Sequence, residues 1–197
     1  MSAPRRLVLA SASPRRRELL ARLGVEFEVR AVDADETPLA AETPEALVLR
    51  LALVKARAAA RPGELALGAD TVVAAGGALL GKPADDEEAR RMLAALSGRS
   101  HEVWTGVALV EVPAEAGAGR LRERARACRT EVAFRALSGS EIDAYVASGE
   151  PRDKAGAYAI QGGAAAFVAH VEGDFTNVVG LPLPLVEELL ADLSRRT

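Results

Sequence analysis

Short apolar runs alternate with amphipathic stretches along the 197 residues of this chain. The apolar runs predict strands, and the stretches whose apolar residues recur every three or four positions predict helices. Strands are expected at residues 6–10, 27–32, 65–75, 78–80, 101–112 and 122–134, with mostly extended chain at 157–171. Helices are expected at residues 14–23, 43–60, 85–96, 138–148 and 184–195. With no long linker and no internal repeat, this alternation indicates one α/β domain over residues 1–197, built on a mixed sheet.

Glycine and hydroxyl residues mark where these elements begin and end. Ser13 is the expected N-cap of the first helix. Gly76-Gly77 is expected to turn the strand at 65–75 back on itself as a hairpin, and a flexible loop is expected at 114–119. The apolar face of the long helix is expected to contain Leu47, Leu51 and Val54.

The composition is typical of a globular protein from a reducing compartment. Hydrophobic residues make up 49% of the chain, and no apolar run reaches the length that spans a membrane. The first apolar run ends at Ala10, which is too early for the central region of a signal peptide. Cys128 is the single cysteine, which excludes an intrachain disulfide. We therefore expect a cytoplasmic protein that does not associate with membranes.

The basic residues occur in local clusters. Because the net charge is −3, the chain has no excess of cations to follow a nucleic-acid backbone, and we expect no stable nucleic-acid partner. Residues 15–17 are three arginines in the first turn of a helix, where the helix dipole favours anions. Arg15 and Arg16, together with the hydroxyls of Ser11 and Ser13 and the N–H groups of the turn, predict a phosphate-binding loop. The alternative is a capped helix whose arginines face solvent.

Lysine is rare in this chain. Of the 25 basic residues only three are lysines, namely Lys55, Lys82 and Lys154. In a chain so biased toward arginine, the remaining lysines are candidates for positions that need a compact ammonium group. The alternative for Lys55 is an ordinary helix lysine that extends its ammonium to water.

Asp70 lies in a strand that is otherwise without charge. A carboxylate there is costly unless it is paired, protonated or bound to a metal. The functional interpretation is a general base or a metal ligand, with Gly68 allowing a ligand to approach closely. The structural alternative is an ion pair or a buried cap. The hairpin at Gly76-Gly77 is expected to bring Lys82 back toward the same region.

Two further segments are candidates for chemistry. Asp33, Asp35 and Glu36 form an acidic turn after the second strand, and such turns are most often simply solvated. Gln161 is the one amide in the glycine-rich segment 156–163, where it could read the edge of a base or a sugar; the alternative is a β-bulge with a solvated glutamine. His101 and His170 have no spacing that indicates a zinc site.

Five segments then occur in order: Ser11-Ala-Ser-Pro-Arg-Arg, Gly68-Ala-Asp-Thr, Gly81-Lys-Pro, Ser97-Gly-Arg-Ser-His with Thr105-Gly106, and Asp153-Lys-Ala-Gly-Ala-Tyr-Ala-Ile-Gln-Gly. Together they resemble the Maf family of nucleoside triphosphate pyrophosphatases over about residues 6–190. The resemblance implies a Maf/Ham1-like fold, which is an elongated mixed α/β sheet flanked by helices, with two lobes around a cleft. It also implies a homodimer.

The resemblance implies a role for each matching residue. Asp70 matches the catalytic proton acceptor, and Glu36 matches an acidic residue near a divalent cation, Mg²⁺ or Mn²⁺. The phosphate-binding positions are matched by Ser11, Arg15, Arg16, Lys55 and Lys82. The positions tied to substrate choice are matched by Arg15, Thr71 and Gln161.

Thr71 and the Tyr-Ala-Ile-Gln segment resemble the branch of the family that hydrolyses dTTP and UTP to the monophosphate and pyrophosphate. One alternative is a purine pyrophosphatase acting on ITP and XTP or on 7-methyl-GTP. A second is a regulator of cell division that binds a nucleotide without hydrolysing it, because the family is associated with inhibition of septum formation.

Overall fold

A computed structural model of the chain describes residues 6–114 and 121–194. Its strands are β1 (Arg6–Leu9), β2 (Phe27–Val29), β3 (Glu64–Ala75), β4 (Ala78–Leu80), β5 (Ser100–Glu111), β6 (Arg122–Phe134) and β7 (Val168–Glu172). Its α-helices are α1 (Pro14–Ala21), α2 (Pro44–Ala59), α3 (Asp86–Leu96), α4 (Gly139–Ala147), α5 (Phe175–Val179) and α6 (Leu183–Ser194). Of the loop predicted at 114–119, all but the first residue lies outside the described residues, as does residue 195 of the predicted last helix.

The strands form one mixed sheet of seven strands. Its order is β2-β1-β3-β5-β6-β7, and β4 pairs with β3 off this path. Strand β1 runs parallel to both β2 and β3, so that Leu9 lies opposite Val29 on one side and Leu67 on the other. The pairs β3–β4 and β6–β7 are antiparallel. The predicted α/β class, a mixed sheet flanked by helices, is therefore confirmed.

The chain divides into two compact units. The first contains Met1–Asp70, Thr105–Cys128 and Gly180–Thr197, and the second contains Thr71–Trp104 and Arg129–Val179. Helices α1, α2 and α6 thus belong to the first unit, and α3, α4 and α5 belong to the second. That residues 1–197 form a single domain stays a prediction. None of the helices within the described residues is long and apolar enough to cross a membrane.

The element boundaries follow the local signals closely. The Ser13 side chain accepts a hydrogen bond from the N–H of Arg16 and caps α1, as predicted. Strands β3 and β4 form the predicted hairpin, in which Val73 lies opposite Leu80 and the turn glycines 76 and 77 both have positive φ. These features depend on a few neighbouring residues, which explains why the sequence predicts them well.

The prediction of extended chain at 157–171 is wrong. The structure has 3-10 turns at Ala155–Ala157 and Gly163–Phe167, and the strand β7 begins only at Val168. Gly156 has φ 67° and Ala157 has φ 60°, in the left-handed region that reverses the chain. Residues 158–160 are nevertheless buried, because they pack inside the second unit without joining the sheet. An apolar run does not by itself distinguish these two ways of being buried.

The buried face of α2 also differs from the prediction. Leu47 and Leu51 are buried as expected, but Val54 is 38% exposed. Lys55, one position later, takes the buried place on the helix and is 7% exposed. The buried residues of α2 therefore follow the order Leu47, Val48, Leu51, Ala52, Lys55, Ala56 and Ala59.

Candidate functional site

The first unit contains a buried ion pair between α2 and β3. Lys55 Nζ donates a hydrogen bond of 2.6 Å to Oδ1 of Asp70. The side chains of the two residues are 9% and 10% exposed. A carboxylate in so apolar a strand requires a partner, and of the alternatives for Asp70 the structure has the paired one. Lys55 correspondingly does not extend to water.

A second carboxylate shares the same ammonium group. Lys55 Nζ also donates to Oε1 of Glu36, again at 2.6 Å, and the Glu36 side chain is 43% exposed. Glu36 is the member of the acidic turn that pairs with Lys55, whereas the Asp35 carboxylate accepts a hydrogen bond from the N–H of Thr37. Two carboxylates therefore contact one ammonium group; the side chain of Asp70 is buried and that of Glu36 is open to solvent. The exposed carboxylate of Glu36 can bind a metal cation from the solvent side.

Two glycines allow α2 to lie close enough to the sheet for this pairing. A Cβ added to Gly68 would lie 2.2 Å from the carbonyl oxygen of Ala52 and 2.7 Å from the amide nitrogen of Ala56. A Cβ on Gly106 would lie 2.2 Å from the carbonyl oxygen of Val48. The idea that Gly68 makes room for a ligand is therefore wrong, since the space is occupied by the backbone of α2. The bare α-carbons let the helix approach the strands, which brings Lys55 to Asp70.

The loop that carries Glu36 is anchored to α2 by a second ion pair. Arg50 donates two hydrogen bonds of 2.7 Å to the carboxylate of Glu42, and a third of 3.1 Å to the carbonyl of Thr37. The arginine beside Glu42 lowers the pKa of that carboxyl from 4.5 to about 2. Because Arg50 lies on the same helix as Lys55, one element holds both the loop and the cation that Glu36 contacts.

The loop between β1 and α1 is organised by its own serines. Ser11 is buried, and its Oγ accepts from the N–H of Ser13 at 3.2 Å and from Nη1 of Arg16 at 3.5 Å. The N–H of Arg16 is bonded to Ser13 Oγ. Two of the N–H groups expected to be free for a phosphate are thus already bonded, so the guanidinium groups are the stronger candidates for holding an anion.

Arg16 is fixed in position by the chain far from it in sequence. Its Nε donates a hydrogen bond of 2.8 Å to the carbonyl of Gly180, within the same unit. Burial lowers the pKa of the Arg16 guanidinium, while the negative charges of Asp70 and Glu36 act in the opposite direction. The positive charge of Arg15 lowers it further. The acidic and basic groups of the first unit are therefore close enough to influence one another.

The remaining candidate residues lie in the second unit. Thr71 follows Asp70 on β3 and is half-buried, and Lys82 is exposed just after β4. Gln161 is exposed on the turn that precedes the 3-10 segment Gly163–Phe167, so the segment does not form the β-bulge that was the alternative interpretation. The β3–β4 hairpin, on which the expected return of Lys82 toward the region of Asp70 depends, is present.

His101 has a packing role in the second unit. Its ring stacks edge-on against Phe134 and Tyr158, and its Nε2 is hydrogen-bonded to the Tyr158 hydroxyl at 2.9 Å. Burial lowers the pKa of His101 to about 4, so the imidazole is neutral at physiological pH. Within residues 6–114 and 121–194, no group of three or more histidine, cysteine, aspartate or glutamate residues could hold a metal on its own.

Two contributors to this arrangement could not be found from the sequence. The carbonyl of Gly180 has no chemical signature, because every residue carries one. Arg50 and Glu42 are eight residues apart across the start of α2, a spacing with no local meaning. Gly106 had a weak signal, since it recurs with Gly68 as a glycine in the middle of a buried strand.

A buried carboxylate beside an ammonium and a guanidinium group can bind a phosphate-bearing molecule and accept a proton next to it. The Maf-like protein family model matches residues 6–193, so the chain belongs to the Maf-like family. A dTTP/UTP pyrophosphatase of Myxococcus xanthus (strain DK1622) is 59% identical over 179 residues, which cover 90% of this chain and 87% of the relative. A protein of the same name from Moorella thermoacetica (strain ATCC 39073 / JCM 9320) is 56% identical over 188 residues, 94% of each chain. Among solved structures, a HAM1 protein from Coxiella burnetii is similar with 22% identity and a TM-score of 0.49, covering 96% of this chain and 100% of that one.

Proposed function

We propose that this protein hydrolyses dTTP and UTP to the corresponding monophosphate and pyrophosphate. Relatives that are named dTTP/UTP pyrophosphatase are 56–59% identical to it over 90–94% of the chain. The observation that carries the proposal is the Lys55–Asp70 pair, buried on β3 and α2 within electrostatic reach of Arg16. An ionised carboxylate beside cations is what water attack on a polyanion requires.

In this proposal Asp70 takes a proton from the attacking water. Its Oδ1 is bonded to Lys55, which leaves Oδ2 as the atom that orients the water and accepts the proton. The water oxygen forms a bond to the α-phosphorus while the bond from that phosphorus to the bridging oxygen breaks. The electron pair of the broken bond leaves with pyrophosphate, and the proton on Asp70 is later released to solvent.

The cations neutralise the triphosphate in the ground state and in the transition state. Lys55 and Arg16 are the members of this set that the first unit holds near Asp70, and Arg15 lies near Arg16. Ser11 fixes the turn and supports the Arg16 side chain through its hydroxyl. Lys82 is assigned to the same phosphate-binding set; it follows β4, which pairs with β3.

Glu36 fits the role of a metal-binding residue. Mg²⁺ in phosphate chemistry is bound by one or two carboxylates together with the oxygens of the substrate, so a full cage of protein ligands is not needed. Glu36 supplies an exposed carboxylate next to Lys55, and Asp70 supplies a second carboxylate next to the same ammonium group. A divalent cation held there would supply further neutralisation of charge on the phosphate oxygens.

Thr71 and Gln161 are assigned to selection of the nucleobase, and Arg15 contributes to substrate choice. The support for Gln161 is its exposed amide, which can both donate and accept a hydrogen bond and so match the edge of a pyrimidine. A cytoplasmic homodimer completes the proposal. The single cysteine supports the reducing compartment.

The test is a screen of pyrophosphate release from dTTP, UTP, ITP and 7-methyl-GTP, each with Mg²⁺, with Mn²⁺ and with a chelator. We expect release from dTTP and UTP that depends on the metal. Faster release from ITP or 7-methyl-GTP would assign the chain to a purine activity. Tight binding of nucleotides without release of pyrophosphate would favour a regulator of cell division and would overturn the proposal.

A further inference from the structure

Lys154 is the third lysine of the chain, and the proposed reaction does not use it. Its side chain is 12% exposed and is paired with the carboxylate of Asp153. Its Nζ also donates a hydrogen bond of 3.1 Å to the carbonyl of Glu150. Lys154 therefore ties the two ends of the 3-10 turn Glu150–Asp153 together. A compact ammonium suits this position because it can donate to a carbonyl and to a carboxylate at once.

The Glu150 side chain extends from this turn to the glycine-rich segment. Its Oε2 accepts a hydrogen bond of 2.9 Å from the N–H of Gly163. Its Oε1 lies so close to Gly162 that a Cβ added there would be 1.5 Å from it. The carboxylate thus lies directly against the bare α-carbon of Gly162, in contact with the residue that follows Gln161.

The glycine-rich segment is also fixed before Gln161, at Ala159. The hydroxyl of Tyr145 accepts a hydrogen bond of 2.9 Å from the N–H of Ala159. The N–H of Gly162 donates to the carbonyl of Ala159 at 3.0 Å and closes the turn. Gln161 is therefore the exposed residue of a short turn whose backbone is bonded to Tyr145 before it and to Glu150 after it.

We propose that Glu150, held by Lys154, is a positioning residue that orients Gln161 for selection of the nucleobase. This inference rests on the role given to Gln161 in the proposed function. A side chain on a glycine-rich turn discriminates between ligands only if its backbone is fixed, because a mobile amide satisfies many partners equally well. Glu150 supplies that restraint with a charged acceptor, which forms a stronger hydrogen bond than a neutral one.

The experiment compares Glu150→Ala, Gln161→Ala and the double variant, using steady-state pyrophosphate release from UTP and dTTP. For Glu150→Ala we expect KM to rise by about tenfold while kcat stays within about twofold, because ground-state positioning is lost and the reacting groups are not. The double variant should be no worse than Gln161→Ala, since both changes remove the same interaction. Glu150→Gln keeps an acceptor oxygen, so its KM should lie close to that of the unaltered protein.

A second variant breaks the contact from the opposite side. Gly162→Ala places a methyl group where Glu150 Oε1 lies and must displace the carboxylate, so it should raise KM in the same way as Glu150→Ala. Glu87→Ala is the matched control, because it removes a glutamate that is 77% exposed on α3 of the same unit. Its KM and kcat should equal those of the unaltered protein. Thermal unfolding of each variant establishes that it is folded.

The outcomes separate this inference from the proposed function. If Gln161→Ala leaves the kinetics unchanged, the role of Gln161 is wrong and the inference is overturned with it. If Gln161→Ala raises KM but Glu150→Ala and Gly162→Ala do not, the inference alone is overturned. The inference would also be overturned if the increases in KM of the two single variants multiplied in the double variant, or if Glu150→Ala lowered kcat without raising KM. Either result would indicate a general structural role for Glu150.

Discussion

Lys55 Nζ lies 2.6 Å from Oδ1 of Asp70 and also 2.6 Å from Oε1 of Glu36. One ammonium group therefore compensates two carboxylates, of which only that of Asp70 is buried. Each of the two buried charges needs the other as a partner, because an isolated charge inside α2 or β3 would be costly. In the proposed reaction the same carboxylate of Asp70 accepts the proton of the attacking water.

Loss of the ammonium should destabilise the protein through the carboxylate left behind. We expect Lys55→Met to lower the free energy of unfolding by about 3 kcal/mol, because Asp70 becomes a buried charge without its partner. The double variant Lys55→Met/Asp70→Asn should recover part of that loss, since it removes the uncompensated charge. Urea unfolding followed by circular dichroism measures both. A double variant less stable than Lys55→Met would contradict this account of the pair.

Asp70→Asn should leave a folded protein that has lost its activity. The amide keeps the size of the side chain, and Lys55 retains Glu36 as a partner, but the base that takes the proton is gone. We expect pyrophosphate release from dTTP to fall by about 10²–10⁴-fold. Asp143→Asn is the control, because that carboxylate is 64% exposed and pairs with Arg90. Turnover by Asp70→Asn within a few-fold of normal would remove Asp70 from the mechanism.

Gly68→Ala should affect both stability and the site, because its methyl group would meet the backbone of α2 at 2.2 Å. The helix must move away, and we expect a cost of about 1–3 kcal/mol in the free energy of unfolding. Activity should fall as well, since the movement carries Lys55 away from Asp70. Gly139→Ala is the control: a Cβ there meets nothing within 4 Å. It should unfold at the same temperature or higher, and equal behaviour of the two variants would be evidence against close packing at Gly68.

The ion pair between Glu42 and Arg50 should make stability depend on pH in the acidic range. The folded-state pKa of Glu42 is lowered from 4.5 to about 2, so its stabilising effect is fully present above pH 4.5. It is lost progressively as the pH falls through 2, below which the carboxyl is protonated in both states. The melting temperature of Glu42→Gln should therefore lie below that of the unaltered protein at pH 6, and the difference should shrink steadily as the pH falls from 4.5 through 2. A difference independent of pH would show that the charge of Glu42 is unimportant.

Much of the fold could be predicted because its signals are local. Ser13 caps α1 with its own hydroxyl, and Gly76-Gly77 turn β3 into β4, so a few neighbouring residues determine each feature. The prediction of extended chain at 157–171 is wrong for the opposite reason, because its outcome depends on packing within the second unit. Residues 158–160 are apolar in a way that suits a strand, but the left-handed backbone at Gly156 and Ala157 turns them into the interior of the second unit.

The candidate site shows the same division. The order of residues by itself determined which side chains are chemically unusual: a carboxylate at position 70 in an apolar strand, a rare lysine at 55 and clustered arginines at 15 and 16. It did not determine that Lys55, rather than Val54, faces the interior, or that Gly68 accommodates a helix rather than a ligand. Those outcomes depend on the distance between α2 and β3, which is set by packing of the bare α-carbons of Gly68 and Gly106 against the helix backbone. Only the tertiary structure decided them, because close packing joins residues that the chain separates and that carry no local signal of their partners.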